Sequence, residues 1–410
     1  MIQEYLKFVI VGHVDHGKST LIGRLLFDCG MVPQEKIEEV KSICASLGKE
    51  FEFAFLMDYM EEEREKNITI DTAQTFFKTA KRNYVIIDAP GHKEFLKNMI
   101  TGSAQADAAV LIIDAKEGIM EQTKRHAYLL KLLNINQLMI VINKMDLVGY
   151  KQQRFEQIKQ GILNHLGRFQ LLPNYVIPIS GRDGDNIAKK SEHLPWYNGP
   201  TVLESLDSFK QQVSVTDLPL RFPVQDIYEI DGEKIFVGRV ESGLMKKNQK
   251  ILFSPTNKIA DIKSIKKWQQ QLDQAESGHC VGITLSDATG IERGQIGSGT
   301  DDSPQVANKF NDTIFWMSPE SLEINEPVIF KCVTQEVRAK IKKIHRLMDS
   351  SSLQTIIGRD NEIKETEVAE VTIETENQIA IDDFNRLPEL GRFVLVRNDD
   401  IVAGGIITLE

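Results

Sequence analysis

The sequence is most informative at first through what it lacks. Its four cysteines, Cys29, Cys44, Cys280 and Cys332, form no C-x-x-C pair and are too sparse for a disulfide framework, so they read as free thiols of a reducing compartment. The longest apolar stretches, such as Ala108–Ile113 and Leu138–Ile142, fall far short of a membrane span. The start, Met1-Ile2-Gln3-Glu4-Tyr5-Leu6-Lys7, has no basic segment followed by an apolar one, so no signal peptide is read there. Basic residues are outnumbered, 49 Lys and Arg against 59 Asp and Glu, and the net charge of -10 gives no footprint for non-specific nucleic-acid binding. Low-complexity tracts and tandem repeats are also missing. A cytoplasmic protein without membrane association is expected, and at 410 residues it needs more than one core.

What is present changes character along the chain. Short apolar runs at Phe8–Val11, Tyr84–Ile87, Ala109–Ile113, Leu138–Ile142 and Val176–Ile179 alternate with stretches of helical spacing such as Glu121–Leu133 and Phe155–Leu166. This rhythm predicts a mostly parallel sheet with helices on both faces. From Pro219 onward, short β-rich runs are separated by turn signals, among them Asp231-Gly232, Glu241-Ser242-Gly243, Glu276-Ser277-Gly278 and Arg293-Gly294. A weaker break falls at Asp301-Asp302-Ser303-Pro304. The expectation is an α/β domain over residues 1–213, followed by two antiparallel β-barrels over 214–303 and 304–410.

Four motifs carry the chemistry. Gly12-His13-Val14-Asp15-His16-Gly17-Lys18-Ser19-Thr20 contains G-x-x-x-x-G-K-[ST] between a strand and a helix. Its glycines let backbone N–H groups wrap a phosphate at a helix N-terminus, Lys18 neutralises phosphate oxygens, and the Ser19 hydroxyl is suited to Mg²⁺. His13 and His16 have no third ligand at metal-binding spacing. Asp88-Ala89-Pro90-Gly91-His92 follows the next strand: Asp88 can hold Mg²⁺ through water, the Gly91 amide can sense a γ-phosphate, and His92 can orient an attacking water.

Asn143-Lys144-Met145-Asp146 decides the base. The Asp146 carboxylate can accept from both the ring N1–H and the exocyclic amine of guanine, a pattern that adenine lacks. Asn143 and Lys144 would brace the loop and stack on the ring, and Ser180-Gly181 supplies an N–H donor to the guanine carbonyl. The ligands read from these motifs are GTP and GDP with Mg²⁺. Between the first two motifs, Glu61–Glu65 reads as a solvated helix, whereas Thr69 can complete Mg²⁺ coordination when a γ-phosphate is present and so make its segment a switch. Ile68 and Val14 could form an apolar gate in front of His92.

Gly12–Thr20, Ile68–Asp71, Asp88–His92 and Asn143–Asp146 together resemble the translational GTPase superfamily of elongation factor Tu-like proteins. The fold which that implies is a P-loop GTPase domain with two β-barrels. Leu21–Asp28, Gln122–His126, Leu220–Gln225, Phe315-Trp316-Met317, Val337–Arg346 and Gly391–Leu395 resemble the GTPase subunit of heterodimeric bacterial sulfate adenylyltransferase. That resemblance implies a chain that couples GTP hydrolysis to forming adenosine 5′-phosphosulfate and pyrophosphate from ATP and sulfate, with a separate catalytic subunit as partner. Ser191–Pro200 is similar both to that subunit and to archaeal-type elongation factors. His13 and His16 spell the P-loop as an elongation factor does, which keeps open an elongation-factor-like GTPase that binds tRNA; a stand-alone regulatory GTPase is a third reading. With one P-loop and no sequence after Glu410, a fused adenylylsulfate kinase is not expected.

Overall fold

The computed structural model describes residues 5–46, 48, 53–55, 74–88, 106–210, 215–230, 232–268 and 270–409. Two compact units divide the chain, the first ending at Gln212 and the second comprising Val213–Glu410.

The first unit is built on a six-stranded sheet of β1 (Tyr5–Gly12), β2 (Gln74–Lys78), β3 (Asn83–Asp88), β4 (Ala108–Asp114), β5 (Leu138–Asn143) and β6 (Tyr175–Pro178). Their order is β2-β3-β1-β4-β5-β6, parallel throughout except for β2, which runs antiparallel to β3. The five apolar runs of the sequence are the parallel strands. Every residue of β4 and β5 is buried, which is why these strands read as continuous apolar runs rather than as alternating ones. The edge strand β2 gave no such signal, since only one of its faces needs to be apolar: Phe77 is buried and Phe76 is exposed.

The helices are α1 (Lys18–Asp28), α2 (Gln34–Ser46), α3 (Glu121–Leu132), α4 (Gln152–Gly167) and α5 (Val202–Ser208). Leu6, Phe8 and Ile10 share one core with α1, α2 and α5, while Val9 and Val11, pointing the other way, are also fully buried. Helix α3 packs on β1 and β4 outside that core. Both faces of the sheet are therefore covered, and loops that leave its carboxyl edge converge on one rim.

The second unit holds two antiparallel assemblies. The first comprises β7 (Arg221–Pro223), β8 (Asp226–Ile230), β9 (Glu233–Arg239), β10 (Leu244–Lys246), β11 (Lys250–Ser254), β12 (Lys258–Lys267), β13 (Gln270–Leu272), β14 (Gln274–Glu276), β15 (Cys280–Leu285) and β16 (Ile296–Ser298). Their main sheet runs β7-β16-β11-β12-β15-β9-β8, with β13 on β12 and a separate β10-β14 ribbon. The expected barrel is thus an open half-barrel. The two edge strands β7 and β8 are consecutive in the chain, joined by Val224-Gln225, yet do not pair with each other; β7 instead meets the segment after β9 through an isolated Arg221–Ser242 bridge.

The second assembly does close: β17 (Gln305–Trp316), β18 (Leu322–Glu323), β19 (Pro327–Cys332), β20 (Gln335–Asp349), β21 (Glu362–Ile363), β22 (Glu367–Ile381), β23 (Arg392–Arg397) and β24 (Asp400–Ile407) include a six-stranded barrel β17-β22-β20-β19-β23-β24, in which β24 pairs back to β17. Phe310, Ile314, Trp316, Phe330, Ile373 and Leu395 fill it. Arg221, fully buried, joins half-barrel and barrel: it reaches the Asp382 carboxylate at 2.7 and 2.9 Å and the Leu220 and Asp302 carbonyls at 2.9 and 2.8 Å.

Candidate functional site

The loop between β1 and α1 is shaped by close approaches that only glycine permits. A Cβ on Gly12 would meet the Ile112 carbonyl oxygen at 2.6 Å, and Gly17, at φ +94°, would drive a Cβ to 2.3 Å from the Asn143 amide nitrogen. Asp15 also takes a left-handed backbone, at φ +63°. Helix α1 then starts with no side chain capping it and no acid in its first turn, so its N–H groups and positive dipole end stay available to an anion. Lys18 lies over the loop, its Nζ donating to the Gly12 and His13 carbonyls at 3.1 and 3.0 Å. Ser19 and Thr20 occupy that first turn.

The two loop histidines are structural supports. His16 is fully buried: Nδ1 accepts from the Asp114 N–H at 3.3 Å and Nε2 lies 3.3 Å from Glu117 Oε2. Burial pushes its pKa down, so the neutral ring that donates from Nε2 is the form this setting favours. Its carbonyl accepts from Asn143. His13 pairs Nδ1 with Gln122 Oε1 at 2.7 Å. Val14 stands exposed on the same loop.

The second half of the site gathers around Asn143 at the end of β5. Its Nδ2 donates to the His16 carbonyl at 2.9 Å, and its Oδ1 accepts from the Gly181 N–H at 2.8 Å, so one side chain ties three loops together. Lys144, left-handed at φ +61°, fixes its Nζ on Asp114 Oδ2 at 2.7 Å. Burial alone would raise the Asp114 pKa, but the Lys144 ammonium and the Lys116 and Glu117 amides outweigh it and hold the carboxylate below its usual range. Asp146 accepts from the Ser180 hydroxyl at 2.9 Å. A cavity of about 530 Å³ opens among Gly17, Thr20, Asn143, Lys144, Asp146 and Arg182, a size that accommodates a nucleoside.

The structure therefore brings together Gly12 to Thr20, Asn143, Lys144, Asp146, Ser180 and Gly181. Asp88 ends β3, next to Ile10 in register, but its side chain lies outside the described residues, as do Ile68, Thr69, Gly91 and His92. Three contributors escaped the motif reading: Asp114, Gln122 and Arg182. Asp114 had a legible signal, since a carboxylate closing a wholly buried strand needs a partner. Gln122 was quoted only within the family resemblance of Gln122–His126, and Arg182 had none.

A β-strand, a phosphate-type loop and a guanine-type loop on the carboxyl edge of one parallel sheet define a P-loop GTPase. Residues 3–214 match the elongation factor Tu GTP binding domain family, and residues 309–408 match the GTP-eEF1A C-terminal domain-like family. The chain is similar over nearly its full length to proteins named elongation factor 1-alpha. That of Methanosphaerula palustris is 40% identical over 409 residues (98% of this chain, 96% of that protein). The protein of Methanoculleus marisnigri is 40% identical with the same coverage, and that of Thermoplasma acidophilum is 39% identical over 416 residues (99% and 98%). A crystal structure of sup35 complexed with GDP aligns with 99% of this chain and 94% of its own, at 24% identity and a TM-score of 0.46.

The chain belongs to the EF-Tu/EF1-alpha-like superfamily of translational GTPases and carries that family's GTP-binding domain. The resemblance to the sulfate adenylyltransferase subunit gains no support from these relatives, which favour the elongation-factor alternative.

Proposed function

We propose that this chain is an elongation factor 1-alpha-type GTPase that carries tRNA in its GTP state and releases it after hydrolysis. The observation that carries the reading is the full-length similarity to elongation factors, through the GTPase domain and the closed last barrel alike. The sulfurylase-like residues Phe315, Trp316 and Met317 are buried, with Trp316 in the barrel core and its indole N–H donating to the Glu320 carbonyl at 2.9 Å. Side chains committed to packing say little about a partner.

In this reading the loop amides of Gly12 to Thr20 and Lys18 hold the β- and γ-phosphates. Asp146 reads the N1–H and amine edge of guanine; the Gly181 N–H, expected as a donor to the guanine carbonyl, is taken by Asn143 Oδ1, so Asn143 and Ser180 keep both loops in register. The Lys144 stem, its ammonium pinned by Asp114, gives the ring a fixed surface. Ser19 and Thr69, with Asp88 through water, would hold a magnesium ion, which neutralises phosphate charge when bound. Gly91 senses the γ-phosphate, and His92 orients the attacking water.

The test is retention of aminoacyl-tRNA by the protein loaded with a non-hydrolysable GTP analogue, compared with the GDP form. Selective retention by the analogue form is expected. Equal or absent retention, together with GTP turnover that rises on adding sulfate, ATP and a sulfurylase catalytic subunit, would sink the proposal in favour of the sulfurylase role.

A further inference from the structure

Two hydroxyl groups join three carboxylates behind the guanine loops. The Ser180 hydroxyl lies 2.9 Å from Asp146 Oδ1 and 3.2 Å from Asp183 Oδ2, and its oxygen accepts from the Asp183 N–H at 3.2 Å. The Tyr150 hydroxyl lies 3.1 Å from that same Asp183 Oδ2 and 2.8 Å from Asp185 Oδ2. Arg182 grips Asp183 from its other side, with Nε to Oδ1 at 3.0 Å and Nη2 to Oδ2 at 3.4 Å, and holds that carboxyl below its usual range. Each hydroxyl has one proton to donate and two carboxylates in reach, so the two choices are linked. If Tyr150 donates to Asp185, Asp183 draws the Ser180 proton and Asp146 keeps its full acceptor capacity. If Tyr150 turns to Asp183, Ser180 is released to Asp146.

The far end of this chain of contacts reaches water. The His193 side chain is 61% exposed, and its Nδ1 lies 3.2 and 3.3 Å from the two Asp185 oxygens. Its backbone N–H donates to the Ser191 hydroxyl at 3.0 Å, and that hydroxyl donates to Asp185 Oδ1 at 2.6 Å. The imidazole stacks on Tyr150 at 4.9 Å, so Asp185 faces its edge and Tyr150 its plane, with Asp183 and Arg182 one contact further on. Trp196 donates from its indole to the Tyr150 carbonyl at 3.0 Å, which fixes where the tyrosine starts. For packing alone a phenylalanine would fill the Tyr150 position without placing a hydroxyl between two acids.

We infer that His193, Asp185, Tyr150 and Asp183 are positioning residues for the base-reading carboxylate, and that the charge on His193 sets which way the two hydroxyls point. An imidazolium and the Ser191 hydroxyl together satisfy Asp185. Tyr150 then turns to Asp183 and Ser180 to Asp146, where its proton competes with the guanine amine. With His193 neutral, Asp185 takes the Tyr150 proton, Ser180 turns to Asp183, and Asp146 is open to both guanine donors. The hydroxyls only rotate; the one proton that enters or leaves does so between water and the exposed imidazole. Histidine is the side chain that changes charge between about pH 5 and 8, so guanine selectivity follows pH in that range. This inference rests on reading Asp146 as the carboxylate that recognises guanine.

The experiment is the ratio of GDP to IDP affinity, titrated on the full chain between about pH 5.5 and 7.5. The two nucleotides carry the same phosphates and differ in the exocyclic amine, so phosphate titration cancels from the ratio. In the unaltered protein the preference for GDP is expected to rise about threefold with pH, the size of part of one hydrogen bond. His193→Gln removes the titrating ring and Tyr150→Phe the bridging hydroxyl, and each should flatten the profile. An unchanged slope in either variant would overturn the inference, as would a flat ratio in the unaltered protein. Asp146→Asn, measured in parallel, keeps the two levels apart: it should remove most of the preference for GDP at every pH. If the preference survives there, the guanine-site reading itself fails, whatever His193 does.

Discussion

Single residues decide what this site accepts. Asp146 is the carboxylate that separates guanine from other bases, and an amide in its place reverses one hydrogen bond. Asp146→Asn is expected to lower GTP affinity and raise xanthosine triphosphate affinity, each by at least tenfold, as read by competitive nucleotide titration; an unchanged preference would remove Asp146 from base reading. Asp312 is a different case. It points into the closed barrel, paired across the sheet with Val371 and Ile407, and neither carboxylate oxygen has a hydrogen-bond partner. Burial pushes its pKa well above the carboxylate range. The sign follows from linkage: a raised folded pKa stabilises at low pH, and that stability drains away as pH climbs above the unfolded value near 4. Cys332, the buried thiol nearby, is pushed up to about 12 and stays silent in this window. Urea melts should show stability of the barrel falling with pH by at most about 1.4 kcal/mol per unit, and Asp312→Asn should flatten that slope. Parallel slopes for the two proteins would refute the assignment.

Among elements, the sequence was easiest to read where burial is complete. The fully buried β4 and β5 were plain as apolar runs; the half-exposed β2 and the three-residue β7 were not, because short strands with one wet face leave no distinctive pattern. The site loops were legible in their glycines and in the Asn143–Asp146 quartet, since backbone strain and base chemistry restrict residue choice tightly. Arg182 was invisible, as nothing local distinguishes a positioned arginine from a solvated one. The same holds for Arg221, which lay in a stretch quoted only for its family resemblance and proved to be the bolt between half-barrel and barrel. Its bidentate partner Asp382 is almost fully buried too, so removing one member strands a charge. Arg221→Ala is expected to cost the second unit about 3–5 kcal/mol in denaturant melts, whereas Arg221→Met with Asp382→Leu should restore most of it. A loss of under 1 kcal/mol in the single variant would show that the pair is not holding the two assemblies.

On the scale of the whole molecule, the described residues form separate cores, among them one against a face of the parallel sheet and one in each β assembly. A ligand that binds only the folded first unit stabilises it by mass action, by about 2.7 kcal/mol at a hundredfold excess over Kd. Differential scanning calorimetry with excess GDP should therefore raise the transition of the α/β unit; a midpoint unmoved by GDP but raised by ATP would contradict a guanine site. By itself the sequence determined the ligand class and the α/β domain, because phosphate loops, base-reading loops and buried strands each demand particular residues at fixed spacing. Only the tertiary structure decided that the middle assembly is an open half-barrel, that the His16 ring is buried against Asp114 and Glu117, and that Asn143, Lys144 and Arg182 line one cavity. Those facts depend on residues as far apart in sequence as His16 and Asn143, and contacts of that range are set by packing, to which local composition is blind.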